Sequence, residues 1–422
     1  MSKKIYNYFS KYEPDSMTPN IKILWKNAKG INIWDHKNRK YIDFTSSIFV
    51  TNIGHGNKNL NNEIQKTLRT PLSHTYIYYN NPRKEYIKKL IKFINNKKLN
   101  CCFLVSAGTE SVEAAVKLMR LNGLKRNKEK KGIISLKGNW HGRTMAAQML
   151  SDDKNQSLWI NKDRNFYHID FPYPWSKDYD KKTFFKKSIE KRFGKKFNYK
   201  KKIAGFVIEA FQGWGALFYP KNFIIELKRF CKKYNILLTI DEMQSGFYRT
   251  GKKFAYEYYG FTPDLVCMGK AMGSGLPLSG VVTSKKIIGV EHAKLQSTHS
   301  ANPMSCTAGI ATINELKKLN KNNKLKKTCE VFEERLENLR RKHNNVIDFI
   351  SGKGMIGAII FKRKNKLSSK KVADKVSFNC LKKGLLVVNT GRESIKLGPP
   401  LIITESQLKN SFKIIDEAIK EL

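Results

Sequence analysis

The sequence predicts an α/β protein: a large domain around a mostly parallel sheet flanked by helices, and a smaller α+β domain made from both chain ends. Three observations predict it. From about residue 84 to 304, short apolar runs alternate with segments of helical period, the βα rhythm of a parallel sheet. Residues 30–55 instead alternate apolar and polar side chains, as a strand pair does. After residue 305 come two helical segments, further strands and a closing amphipathic helix. A chain of 422 residues can bury a sizeable core in such an arrangement. The expected division is residues 1–60 in the small domain, 61–304 as the large one, and 305–422 returning to the small one.

The elements follow in order. "GINIWDHKNRKYIDFTSSIFVTNIGH" turns at Asn38-Arg39, giving the strand pair. "CCFLVSAG" (101–108) is a strand that ends in small residues. "TESVEAAVKLMRLNG" (109–123) follows as a helix, with Val112, Ala115, Val116 and Met119 on one face and Gly123 at its end. "GIISLKG", "IAGFVIEAF", "NILLTIDE" and "DLVCMGK" are further strands, with "KNFIIELKRFCKKY" at helical period between two of them. Helices are expected at 305–318 and 322–341, strands near 346–361 and 385–397, and a last helix in "ESQLKNSFKIIDEAIKEL". "GKGMIG" (352–357) satisfies a GxGxxG pattern, but "GAIIF" follows where a nucleotide site needs a helix. It reads as a hairpin turn.

Composition narrows the function classes. An apolar fraction of 41% argues for a globular chain, and no apolar run is long enough to cross a bilayer. The first residues lack the apolar stretch of a signal peptide. Seven cysteines, an odd number without CxxC spacing, point to reduced thiols in a cytoplasmic protein. Lys and Arg number 80 against 35 Asp and Glu, densest in "KKTFFKKSIEKRFGKKFNYKKK" (181–202). Bases interleaved with aromatics suggest a nucleic-acid surface. Here, however, Phe184, Phe185, Ile189 and Phe193 fall at helical spacing, and the excess of lysine runs through the whole chain. The expectation is a basic composition without a nucleic-acid or membrane partner.

Three strand ends carry the chemistry, because ligands sit at the carboxyl edge of such sheets. "SAGTES" (106–111) opens a helix with small residues and Thr109, a phosphate-binding arrangement that also occurs as a plain helix cap. "LLTIDEMQSGFYRTG" (237–251) ends an apolar strand at Asp241, an acid that is costly to bury without a cation or a shared proton. "VCMGKAMGSGLPLSG" (266–280) delivers Lys270 from an apolar strand into a loop of small residues. A lysine in a dry place can lose its proton and form a Schiff base with a carbonyl. Phosphate cradle, carboxylate and such a lysine are together what pyridoxal 5'-phosphate demands. No histidine shows metal spacing, so no metal is expected.

The chain resembles the class III aminotransferases (acetylornithine/4-aminobutyrate-like), in the fold-type I group of pyridoxal-phosphate enzymes. The likeness lies in "WDHKNRKYIDFTSSI…GHG", "SAGTESVEAAVKLMR", "NWHGRT", "VIEAFQG", "IDEMQSGFYRTGK", "PDLVCMGKAMGSGLPLSG" and "STHSANPMSCTAG". It implies a seven-stranded type of sheet, Lys270 as the Schiff-base lysine and Asp241 as partner of the pyridine nitrogen. It further implies Gln244 at the ring hydroxyl, Gly108 and Thr109 at the phosphate, and Trp140 on the ring face. A homodimer is implied too, with Thr298 reaching the neighbouring subunit's phosphate. For His141 and Glu209 structural and functional roles stand equally open.

Two departures bear on substrate. Where many relatives that use 2-oxoglutarate carry an arginine before "xxPPL", this chain has Lys396, and where switching members carry a glutamate after "QG", it has Trp214. Arg143 of "HGRT" matches a position that contacts a distal carboxylate in some relatives. The expected activity is transfer of an amino group from an amino acid or ω-amine to 2-oxoglutarate or pyruvate. The runner-up is a racemase, aminomutase or phospho-lyase of the same fold. A non-catalytic basic binding protein on this scaffold is the more distant rival.

Overall fold

A seven-stranded sheet lies at the centre of the computed structural model, which describes residues 2–17, 22–70, 72–153, 155–161, 163–174, 176–291 and 294–422. Its strands run in the spatial order Cys101–Val105, Ser279–Thr283, Leu265–Met268, Leu237–Asp241, Ile203–Glu209, Gly132–Leu136 and Phe166–Ile169. Only Ser279–Thr283 opposes its neighbours; the other pairings are parallel. The central strands are buried along their whole length, which is why they read as unbroken apolar runs. Five of these strands match the sequence expectation. Phe166–Ile169 and Ser279–Thr283 are additions.

Helices cover the sheet as the periodicity requires. Gly108–Leu124 buries Val112, Ala115, Val116 and Met119, and Glu110 caps its start by accepting from the N–H groups of Ser106 and Ala107 at 3.0 and 2.7 Å. Lys221–Tyr234 buries Phe223, Ile224, Leu227 and Cys231 and ends at Asn235 in the left-handed region. The basic segment forms the helix Phe184–Phe193, whose Phe184, Phe185 and Ile189 are core. Its lysines are the solvated face of an ordinary amphipathic helix.

Two four-stranded sheets complete the fold. One joins Trp25–Lys29, Asn32–Asp35 and Lys40–Asp43 to Leu385–Leu386, so the two ends of the chain share a sheet. The other holds Ile347–Lys353, Ile356–Phe361, Ser394–Leu397 and Val388–Asn389. "GKGMIG" is the turn of its first hairpin. The strand pair expected within 30–55 stops at Asp43. Beyond it, Ser46, Ser47, Ile48 and Phe49 all have φ between +49° and +67°. A left-handed turn of side-chain-bearing residues costs roughly 1–2 kcal/mol per residue. Asp43 holds it at one end, accepting from the N–H groups of Thr45 (2.9 Å) and Ser47 (3.1 Å).

Arg249 holds the other end. It is fully buried, among the described residues no carboxylate is bonded to it, and burial pushes its pKa down to about 9. Its guanidinium donates to the carbonyls of Met355 (2.9 Å) and Pro399 (2.6 Å), to Ser46 Oγ (3.0 Å) and to Asn52 Oδ1 (2.5 Å). Arg249→Met leaves these buried acceptors without that donor, and an unpaired buried polar group costs about 1–3 kcal/mol. The variant is expected to lose roughly 3–5 kcal/mol of unfolding free energy in urea titrations. A loss near zero would show that water takes the place of the guanidinium.

Candidate active site

Three parallel neighbours end level with one another. Asp241 is in register with Glu209 on one side and Cys267 on the other, so the residues just beyond Met268 enter the same edge. The first helical residues Gly108 and Thr109, which lack an intrahelical acceptor for their N–H groups, face that edge too. Together with Trp140, His141, Arg143, Gln244 and Lys270 they line a cavity of about 300 Å³. Of the residues expected at the site, seven therefore meet here: Gly108, Thr109, Trp140, Arg143, Asp241, Gln244 and Lys270.

Lys270 sits on strained backbone at φ +48°. A lysine gains nothing locally from that region, and such strain gathers where function needs a side chain aimed one way. Burial lowers its pKa, against the pull of Asp241 and Glu209, which favour the charged form. Asp241 is buried and held at both oxygens. Oδ2 accepts from His141 Nδ1 at 2.9 Å and Oδ1 from the Met243 N–H at 3.0 Å. With the carboxylate ionised, His141 is the Nδ1–H donor, and its Nε2 lies 3.5 Å from Asn139 Nδ2.

Glu209 organises the opposite wall. One oxygen accepts from the N–H groups of Trp140 (3.0 Å) and Gly213 (3.2 Å), the other from Gln244 Nε2 (3.3 Å). Burial is the main reason its pKa rises to about 7. Gly142 has φ +136°, and a Cβ there would stand 2.5 Å from Thr109 Oγ1, so only glycine lets the "NWHGRT" loop close on the helix start. Arg143 lays its guanidinium 4.7 Å from the Trp140 ring centre.

Three expected residues stand apart from the cavity lining. Lys396 is buried behind Gln244, its ammonium donating to the Gly213 carbonyl (2.6 Å) and to Gln244 Oε1 (2.7 Å). Burial lowers its pKa to about 7. Trp214 is clamped between Arg392, 3.8 Å from its ring centre, and Tyr173, and its indole donates to Gln212 Oε1 at 2.7 Å. Thr298 is exposed on the loop before the helix Pro303–Leu319. The sequence left His141 and Glu209 open between roles. The structure ties His141 to Asp241, and Glu209 to the loops that carry Trp140 and Gln244. The signal for Glu209 was available: like Asp241, it is the charge that ends a buried, mostly apolar strand.

This donor set fits the cofactor expected from the sequence. A helix start whose Gly108 and Thr109 N–H groups lack an intrahelical acceptor suits a phosphate, a buried carboxylate suits a protonated ring nitrogen, and a lysine of lowered pKa suits an aldehyde. Among the described residues no cluster of His, Cys, Asp and Glu is arranged to hold a metal ion, and no helix is long and apolar enough to cross a membrane.

Comparison with known proteins agrees with the geometry. The model of the family "Aminotransferase class-III" matches residues 14–419. The acetylornithine aminotransferase of Caldanaerobacter subterraneus subsp. tengcongensis is 28% identical over 418 residues, covering 98% of this chain and 99% of the relative. The ornithine aminotransferase of Emericella nidulans is 29% identical over 412 residues, 95% of this chain and 87% of the relative. Among solved structures, a transaminase from the marine bacterium Virgibacillus superposes with a TM-score of 0.89 at 24% identity, over 99% of this chain and 98% of that one. A family match of that extent, on a fold and a site that agree with it, settles kinship: the chain belongs to the class-III aminotransferases, whose reaction depends on pyridoxal phosphate.

Proposed function

We propose that Lys270 is the covalent anchor and proton carrier of this aminotransferase, moving an amino group from an amino acid or ω-amine to an α-keto acid such as 2-oxoglutarate or pyruvate. The observation that carries this reading is the convergence of Lys270 and Asp241 on one cavity from adjacent strand ends. Pyridoxal phosphate, when bound, supplies an electron sink for the substrate carbon that loses its proton. Gly108 and Thr109 hold the phosphate, Trp140 covers the ring and Gln244 meets the ring oxygen. Asp241, oriented by His141 and the Met243 N–H, keeps the proton on the ring nitrogen. Lys270 Nζ, whose pKa burial lowers, would be the amine that anchors the aldehyde. The same nitrogen would serve as the base at the substrate carbon that bears the amino group and as the acid at the cofactor carbon that receives the proton.

Arg143 is the cavity-lining cation suited to a distal carboxylate, and the donor is recognised through that distal group or is an amine without an α-carboxylate. Arg143→Met is expected to raise KM for dicarboxylate substrates roughly tenfold to a hundredfold, the loss of one charged hydrogen bond, with kcat nearly kept. If neither half-reaction changes, the assignment is wrong. The panel of donors includes ornithine and acetylornithine, after which the relatives are named, together with ω-amines. Conversion of the bound cofactor to its pyridoxamine form reports each donor. Turnover that needs no keto acid would favour the racemase, mutase or lyase reading instead.

The working unit is a homodimer, with Thr298 reaching the other copy's phosphate site. The support is an exposed apolar stretch, Tyr76, Ile77, Tyr78 and Tyr79, the last 96% exposed. Beside it His74 meets His299, next in sequence to Thr298, with ring centres 5.3 Å apart. A cytoplasmic location is part of the same proposal and follows from the cysteine pattern.

A further inference from the structure

Every contact of the Lys396 ammonium points inward. Beyond its bonds to the Gly213 carbonyl and Gln244 Oε1, it lies 4.8 Å from the ring centre of Phe49. An ammonium has three donors, so two are spent on these acceptors and the third faces the ring. A substrate carboxylate reaching for Lys396 would have to displace the Gly213 carbonyl or the Phe49 ring. The residue that stands in the place of a receptor is thus enclosed, with Gln244 between it and the cavity.

That enclosure has a consequence for Gln244. The two ends of a primary amide are alike in shape and opposite in hydrogen-bonding sense. Here an ammonium binds the oxygen end at 2.7 Å, while Glu209 accepts from the nitrogen end at 3.3 Å. In the reversed orientation, amide N–H groups would face the ammonium and the amide oxygen would face the carboxylate. Only one orientation is left, and it keeps a second amide N–H free of Glu209. The fit is tight: a Cβ on Gly213 would come within 2.4 Å of Gln244 Nε2 and 2.6 Å of Glu209 Oε1.

We propose that Lys396 is a positioning residue of the cofactor site: by holding Gln244 Oε1 it aims the second amide N–H of Gln244 at the cofactor's ring oxygen, and it does not receive a substrate carboxylate. This rests on the placement of Gln244 at the ring oxygen proposed above. The ionisable groups whose fields reach Lys396 are Glu209, which favours its charge, and Lys270, which opposes it. The paired strand Ile356–Phe361 and the turn Ser46–Phe49 bring none, and Arg249 lies beyond the Phe49 ring at 5.7 Å from its centre.

The test is a pH titration of the visible absorption of the cofactor in the intact holoenzyme, for wild type, Lys396→Met, Gln244→Ala and the double variant. A donor on the ring oxygen draws off negative charge that would otherwise hold the neighbouring proton. Losing it is expected to raise the midpoint by about one pH unit in both single variants. The double variant is expected to shift by less than their sum, while KM for the keto acid in Lys396→Met stays within about threefold. If Gln244→Ala moves the midpoint and Lys396→Met does not, or if the shifts add, this inference is overturned and the placement of Gln244 stands. An unmoved midpoint in Gln244→Ala overturns that placement and the inference with it. A rise in KM of about tenfold with an unmoved midpoint in Lys396→Met would make the lysine a carboxylate receptor after all. Lys396→Gln, which keeps a polar end, is the second variant for the case in which methionine does not yield folded protein.

Discussion

Lys270→Ala is expected to take up pyridoxal phosphate and yet turn over at least about 10³-fold more slowly than the wild type, since one nitrogen serves as both nucleophile and proton carrier. The phosphate and ring contacts belong to other residues, so binding survives the change. Alanine keeps the Cβ and with it the strained φ of +48°, so folding stability should hardly move. Borohydride reduction of the wild type, followed by peptide mapping, supplies the positive half of the experiment. The map has real competitors to exclude: burial also lowers the pKa of Lys396 to about 7 and of Lys130 to about 8. Lys130 donates to the carbonyls of Lys200 and Tyr234, away from the cavity lining. A reduced adduct on either of them would overturn the assignment of Lys270.

Asp241→Asn is expected to lower kcat by roughly 10²–10³-fold, the usual loss when one preorganised electrostatic partner of the transition state is removed. The shape is kept and the charge is lost. The new amide must also place its NH2 group against either the His141 ring or the Met243 N–H, both of which now donate to the carboxylate. His141 can answer by changing tautomer, so the fold should persist and the unfolding temperature change little. Stopped-flow measurement of each half-reaction would locate the defect in proton removal rather than in substrate binding. Near-normal turnover would mean that Asp241 is only a structural acceptor for His141.

The parts that the sequence disclosed share one property: local pattern and tertiary environment agree. Leu237–Asp241 and Leu265–Met268 are apolar runs that end abruptly in charge, which is what a buried strand reaching the sheet edge must look like. Lys221–Tyr234 has the boundaries its periodicity announces. Lys396 is the opposite case. In "SIKL" a lysine between two aliphatic residues reads as the polar side of a half-buried strand, and the chain has lysines in abundance. The strand is in fact buried on both faces, a fact set by Ile356–Phe361, Phe49 and the Gly213 loop, all distant in sequence. The helix Ser369–Lys382 falls between two expected strands, where the sequence reading places no element. The turn Ser46–Phe49 could not be read at all, since no glycine marks it.

That turn also divides its own positions by how freely they could drift over evolutionary time. Glycine would relax the backbone at any of the four, because it enters the left-handed region without penalty. At Ser47 and Ile48 little opposes the exchange, for Ile48 is 47% exposed and only the main-chain N–H of Ser47 is bonded to Asp43. At Ser46 the hydroxyl donates to the Gly398 carbonyl at 2.7 Å and accepts from Arg249, and at Phe49 the ring lies between Arg249 and Lys396. A mutation to glycine there would ease the main chain while cutting the links that carry the turn to the catalytic edge. Selection for stability alone would erase this strain one residue at a time; selection for a placed Lys396 allows the erasure at the two middle positions and forbids it at the two ends.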